Sequence, residues 1–123
     1  AWRAMLDNGV PLAFGADTPV EIADPFLGLK SATTRLDSRN EPAGGWLPAQ
    51  RVTLAEALRA YGRGAAYASF AEQRFGNLAP GQRADFLILD RDIELASASD
   101  LSATRVLEVW MDGKRISLKD NQP

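Results

Sequence analysis

Cysteine and histidine are both absent from this chain of 123 residues. The first absence excludes disulfide staples and thiolate metal sites. The second excludes a Ser-His-Asp triad, an imidazole general base and zinc held by imidazole, so any metal chemistry needs ligands from other polypeptide. An excess of positive charge is missing too. The 14 Lys and Arg face 16 Asp and Glu, for a net charge of -2, and the basic residues are scattered among the acids. Phosphate backbones call for a basic stripe, so nucleic acid is not an expected partner. No run approaches the roughly 20 apolar residues that span a bilayer, so membrane insertion is not expected either. What remains is 46% apolar and 24% charged, the composition of an ordinary globular chain with room for one core or pieces of two domains.

Trp2, Met5 and Leu6 fall at helical spacing and Gly9 follows where a left-handed C-cap belongs. This reads as the last turns of a helix that begins earlier, hence as part of a longer protein, and no localisation follows from such an N-terminus. Val10 to Gly15 is apolar on both faces with Pro11 at its entry, which predicts a strand of a buried parallel sheet ending at Gly15-Ala16-Asp17-Thr18-Pro19. Asp24-Pro25 caps a helix running to about Arg35. Pro42, Gly44, Gly45 and Pro48 then make Leu36 to Gln50 a long irregular loop.

Thr53 and Glu56 form a capping box. The helix after it carries Leu54, Ala57, Leu58, Tyr61, Ala65 and Ala68 as its apolar stripe, with Gly62 and Gly64 expected to kink or divide it, and Tyr61 and Tyr67 expected in the core. Ala79-Pro80-Gly81-Gln82 predicts a type II turn before a strand over Ala84 to Leu89. Val106 to Met111, Asp112-Gly113 and Lys114 to Ser117 predict a hairpin, after a polar stretch with a short helix near Ser99. A buried parallel strand needs neighbours that this chain does not offer, so its first half reads as one unit of a larger α/β sheet.

Asp17 is the leading candidate for chemistry, because a carboxylate just past a buried parallel strand sits where α/β barrels hold catalytic groups. The plainer reading makes it a cap for the turn at Thr18 and Pro19. Glu21 and Asp24 would be a carboxylate pair of the kind glycosidases use, but Asp24 already has a helix to cap. The segment Gly44-Gly45-Trp46 either closes over a ligand or anchors its loop. Arg35, Arg39 and Arg51 flank the loop as holders of an anionic substrate or as solvated surface charge.

Two motifs carry a resemblance to a known family. Leu12-Ala13-Phe14-Gly15-Ala16-Asp17-Thr18-Pro19-Val20 resembles the last barrel strand of the metal-dependent amidohydrolases. Gly76-Asn77-Leu78-Ala79-Pro80-Gly81-Gln82-Arg83-Ala84-Asp85-Phe86-Leu87-Ile88-Leu89-Asp90 resembles their tail. Gly44-Gly45-Trp46-Leu47-Pro48, the capped helix from Thr53, and Ala65-Ala66-Tyr67-Ala68 narrow the likeness to the YtcJ-like branch, which includes N-substituted formamide deformylases.

The resemblance implies an α/β fold: residues 1–75 as the last strand and helices of a (β/α)8 barrel, which when whole takes roughly 250 residues, and residues 76–123 as strands of a small β-sandwich domain. It implies hydrolysis of C-N bonds in small-molecule amides, formamides or cyclic amides, with a divalent metal, zinc by expectation, bound in the complete enzyme and none in this chain alone. Asp17 takes the position of the strand-eight Asp that accepts a proton from metal-bound water and passes it to the departing nitrogen, with possible contact to the metal itself. A metal brings the pKa of bound water to about 7, within reach of such a base. Trp46 and Gly45 become candidate substrate contacts. The family usually has Gly-Ser-Asp where this chain has Gly15-Ala16-Asp17, so a hydroxyl is missing beside the carboxylate.

The expectation is therefore a C-terminal portion, inactive alone, whose partners are the missing N-terminal part of the enzyme or further copies of the chain. The rival is a non-enzymatic interaction or assembly module derived from an amidohydrolase tail.

Overall fold

The computed structural model describes residues 1–116. Its order is α1 (Trp2–Asp7), α2 (Pro25–Thr34), α3 (Leu54–Arg59), α4 (Ala65–Ala68), β1 (Phe86–Leu89), α5 (Ala98–Ser102), β2 (Val106–Met111) and β3 (Lys114–Ile116), a mixture of helix and strand. Among the described residues no helix is long and apolar enough to cross a membrane.

Helix α1 stops at a Schellman turn. Gly9, at φ 74, donates to Leu6 O (3.0 Å) and Val10 donates to Met5 O (2.9 Å), which satisfies the last carbonyls. The expected strand over Val10 to Gly15 does not form. A strand is a pairing relation, and among the described residues this segment has no neighbour to pair with; a bond from Phe14 N to Ala60 O (3.2 Å) ties it instead to the end of α3. Its side chains nevertheless alternate as a strand's do: Leu12, Phe14 and Ala16 are half-buried against the helices, while Pro11, Ala13 and Gly15 are exposed.

The Asp24 carboxylate accepts from Phe26 N at 2.9 Å and Pro25 takes the first helical position, so α2 starts where its sequence dictates. It buries Phe26, Leu29 and Ala32 against Val52 and Ala57. Trp2, Leu6, Phe14, Leu54, Leu58 and Tyr61 pack against this core together with Leu89, Ile93 and Val106, so the helical and β parts share it. Trp2, Phe14 and Tyr61 form a ladder of rings with centres 5.1 and 5.6 Å apart. Helix α5, capped by Ser97 and Asp100, packs on α2 with Leu101 buried.

Helices α3 and α4 are one continuous rod interrupted by a π-helical turn at Ala60–Gly64. The glycines do divide the helix, and the wider turn moves the stripe by a residue: Ala57, Ala60 and Ala66 are buried, whereas Ala68 and Tyr67 are exposed. Tyr67, expected in the core, is thus on the surface. Gly64 is required here, because a Cβ would stand 2.0 Å from Leu12 O.

The α3 cap also ties two helices together. Glu56 accepts from Thr53 N (2.7 Å) and forms a two-pronged pair with Arg3 of α1 (2.8 and 2.9 Å). The Arg3 guanidinium first, and the Thr53 amide next, hold the Glu56 carboxyl at about 2, from an ordinary 4.5. A depressed carboxyl pKa stabilises the fold above the unfolded value, and that contribution fades as pH falls from about 4.5 toward 2. Glu56→Gln should therefore lower the urea midpoint at pH 7 and shrink its drop between pH 5 and 3. A residual acid loss should remain, because Asp37, Asp90 and Asp100 are also held low. Equal drops in both proteins would show that the pair contributes nothing.

In the β part, Gly81 at φ 87 and Gln82 N to Ala79 O (3.1 Å) make the expected type II turn. The strand after it is shorter than expected, Phe86–Leu89 instead of Ala84 to Leu89. It pairs antiparallel with β2, which pairs with β3 through Asp112 (φ 53) and Gly113 (φ 70). Ser117, expected in the hairpin, lies outside the described residues. Phe86 stacks on Trp110 at 5.5 Å across one face. On the other, Leu87, Val109 and Ile116 are in register, and Leu87 and Ile116 are exposed.

Candidate active site

Asp17 begins a turn as the chain leaves its extended segment. Val20 N donates to the Asp17 carbonyl at 2.9 Å and Glu21 N to Ala16 O at 3.2 Å, while Asp17 itself sits at φ 51. The backbone, not the carboxylate, closes this turn. Among the described residues the exposed Asp17 carboxylate makes no hydrogen bond or ion pair, so both oxygens are available to an outside group. Asp24 is different, because its carboxylate is committed to the α2 N-terminus. That commitment removes the observation on which an acid-base pair with Glu21 would stand.

What holds Asp17 in place is upstream. The backbone at Leu12 rests on Gly64, and Phe14 is wedged between Trp2 and Tyr61. Two residues further on, the chain reaches the turn.

The Leu36 to Gln50 loop is not a free flap. Asp37 receives the amides of Arg39 (2.8 Å) and Glu41 (2.9 Å) and the Arg39 side chain (3.3 Å). The Glu41 amide above all keeps its carboxyl below the ordinary range. Trp46 N donates to Arg35 O (2.8 Å) and Arg35 Nε returns a bond to Trp46 O (3.1 Å). Arg51 donates to Thr34 O (3.0 Å) and to Gly44 O, pinning the loop to the end of α2. Gly45, at φ 85, has Thr34 O only 2.3 Å from where a Cβ would be, so it is fixed by close approach as well as by its backbone angle. Pro48–Gln50 makes a single 3₁₀ turn.

Trp46 is 61% exposed and stands on an open groove of about 530 Å³ with Trp2, Arg35, Asp37, Arg39 and Glu41. Asp17 does not line it. Nor does Asp17 line a second groove, of about 440 Å³, along Leu12, Gly64 and Tyr67. Sequence reading overlooked how Arg35 is held: its guanidinium carbon lies 4.3 Å from the Trp2 ring centre and 5.0 Å from that of Trp46. The tryptophans were visible in the sequence, but their convergence on one arginine needs the α2 C-cap at φ 63.

The described residues contain no group of three His, Cys, Asp or Glu side chains able to hold an ion, and the sequence has neither His nor Cys. Asp17 alone does not make a metal site.

The profile of the Amidohydrolase family matches residues 1–117, and the chain belongs to that family. It is similar to the putative amidohydrolase YtcJ of Bacillus subtilis (strain 168), at 28% identity over 93% of this chain and 22% of that protein. It is also similar to the N-substituted formamide deformylase of Arthrobacter pascens, at 33% over 90% and 20%, and to Protein LONG AFTER FAR-RED 3 of Arabidopsis thaliana, at 32% over 94% and 19%. The chain thus spans about a fifth of the length of these relatives. Among solved structures, an amidohydrolase from Thermotoga maritima MSB8 shares the fold at a TM-score of 0.66 and 19% identity, over 94% of this chain and 25% of that one.

Proposed function

We propose that this chain is the C-terminal part of a hydrolase that cleaves C-N bonds in amides, formamides or cyclic amides. Residues 1–75 end its (β/α)8 barrel and residues 76–123 add strands to a small β-sandwich. The observation that carries the reading is the segment from Pro11 to Ala16: it alternates like a strand, lacks strand neighbours among the described residues, and ends at an uncommitted carboxylate. In an α/β barrel that is the end of the strand where chemistry is done.

Asp17 acts there as general base toward the attacking water and then as general acid toward the departing nitrogen. Gly45 fixes the loop that presents Trp46, whose exposed indole contacts the substrate. A divalent metal, with zinc the expectation, would be held by residues of the remaining protein, since the described residues offer no ligand set for it. The same division of labour names the partner. The missing N-terminal part, or copies of the chain, would cover the open side of the segment, where Val10 is 46% exposed.

The purified chain, supplied with zinc, should hydrolyse neither N-substituted formamides nor cyclic amides, while the complete protein should turn over at least one such class. Hydrolysis by the chain alone that disappears in Asp17→Asn would overturn the claim that the catalytic unit is incomplete. A complete protein inert toward every C-N substrate class would overturn the reading itself.

A further inference from the structure

We propose that the groove at the C-terminus of α2 is a carboxylate-binding site with the Arg35 guanidinium as its receptor. Arg35 is fixed at both levels. Its backbone N–H closes α2 on Ser31 O (2.8 Å) and its carbonyl accepts from Trp46 N (2.8 Å). Its side chain lies against the Trp2 and Trp46 rings and donates from Nε to Trp46 O at 3.1 Å. Arg3, Arg39, Arg51 and Arg91 spend their terminal nitrogens within the protein, on Glu56, Asp37, Gly44 O and Asp90; Arg59, Arg63, Arg74 and Arg105 do not, but among the described residues none of these four is packed on an aromatic ring as Arg35 is. Among the described residues the terminal nitrogens of Arg35 make no hydrogen bond or ion pair, and they belong to a residue that lines the groove of about 530 Å³.

A guanidinium packed on aromatic rings is left with its in-plane edge for binding, and that edge matches the two oxygens of a carboxylate. Its ordering is already accomplished before the ligand arrives, which lowers the entropic cost of association. Asp37, Glu41 and the C-terminal end of α2 put negative charge around the groove, so the attraction for an anion comes from the in-plane edge of Arg35. The Asp37 carboxylate is itself taken up by Arg39 and by two amides, and the buried Lys30 ammonium stands behind the loop, 3.3 Å from Asp37 O. The neighbouring indoles offer a flat apolar surface, so the ligand is a carboxylate attached to a ring or short hydrocarbon. The proposal concerns binding by this chain and does not rest on the hydrolase reading.

The test is a titration of the 123-residue chain with benzoate and with benzamide, its neutral near-isostere, followed through the indole N–H signals of its three tryptophans. Benzoate should shift the Trp2 and Trp46 signals saturably and leave Trp110, which lies on the sheet, in place. Benzamide should bind at least about tenfold more weakly, and Arg35→Gln should weaken benzoate by a similar factor. Arg115→Gln, which alters an exposed pair with Glu108 on the sheet and away from the groove, should change it by less than about twofold. Equal affinity for benzoate and benzamide, tighter binding of inorganic phosphate, or no saturable benzoate binding would each overturn the proposal. The ligand comparison uses the unaltered chain and so stands even if Arg35→Gln loosens the loop. No arm reads hydrolysis, so a negative result leaves the hydrolase reading untouched.

Discussion

Asp17→Asn in the complete hydrolase should lower kcat by about 10² to 10⁴-fold, the usual cost of losing a positioned acid-base group. The substitution keeps the shape and removes the ability to take up a proton. It should not disturb folding, since the carboxylate bonds to nothing among the described residues and the turn at Asp17 is closed by backbone groups. The check is a pair of measurements on one variant: kcat for a formamide or cyclic amide in the whole enzyme, and the urea midpoint of the isolated chain. A large fall in the first with no change in the second assigns chemistry to Asp17. An unchanged kcat would return Asp17 to the role of an ordinary turn residue.

Gly64→Ala should be strongly destabilising, costing about 1 to 3 kcal/mol through overpacking. The added Cβ would meet Leu12 O at 2.0 Å and Leu12 C at 3.1 Å, and both are backbone atoms that no rotamer change can move. The helix can retreat only by opening the contact that sets the segment leading to Asp17, so the same variant should lower the activity of the complete enzyme. Gly15→Ala is the control, because nothing lies within 4 Å of its added carbon. Urea unfolding of the three chains decides the matter: a Gly64→Ala midpoint equal to that of the unaltered chain would mean that the close approach is not needed.

The local punctuation of this fold was legible in the sequence because it is local chemistry. Asp24 before Pro25, Thr53 with Glu56, Gly9 after α1 and Asp112-Gly113 each act through atoms within a few residues, and each does what its composition dictates. The features that sequence reading missed depend on partners far along the chain. The stretch from Val10 to Gly15 has a strand's composition but lacks, among the described residues, the neighbours that would make it one. The π-helical turn shifts the helical stripe past Ala60, so a fixed period of 3.6 misplaces Tyr67 and Ala68. At the candidate site, Asp17 could be named from its motif, and Gly45 and Trp46 from their loop. The anchoring of that loop by Arg35 and Arg51 could not, because it requires the α2 C-terminus, the loop and Trp2 to meet.

The measurement that bears most directly on the central claim is the reading frame upstream of Ala1 in the source DNA. It should stay open over most of the length by which the relatives exceed this chain, which covers 19% to 22% of them, and should encode a His-x-His pair after an early strand. A start codon immediately before Ala1 would contradict it, leaving Asp17 without a barrel to serve.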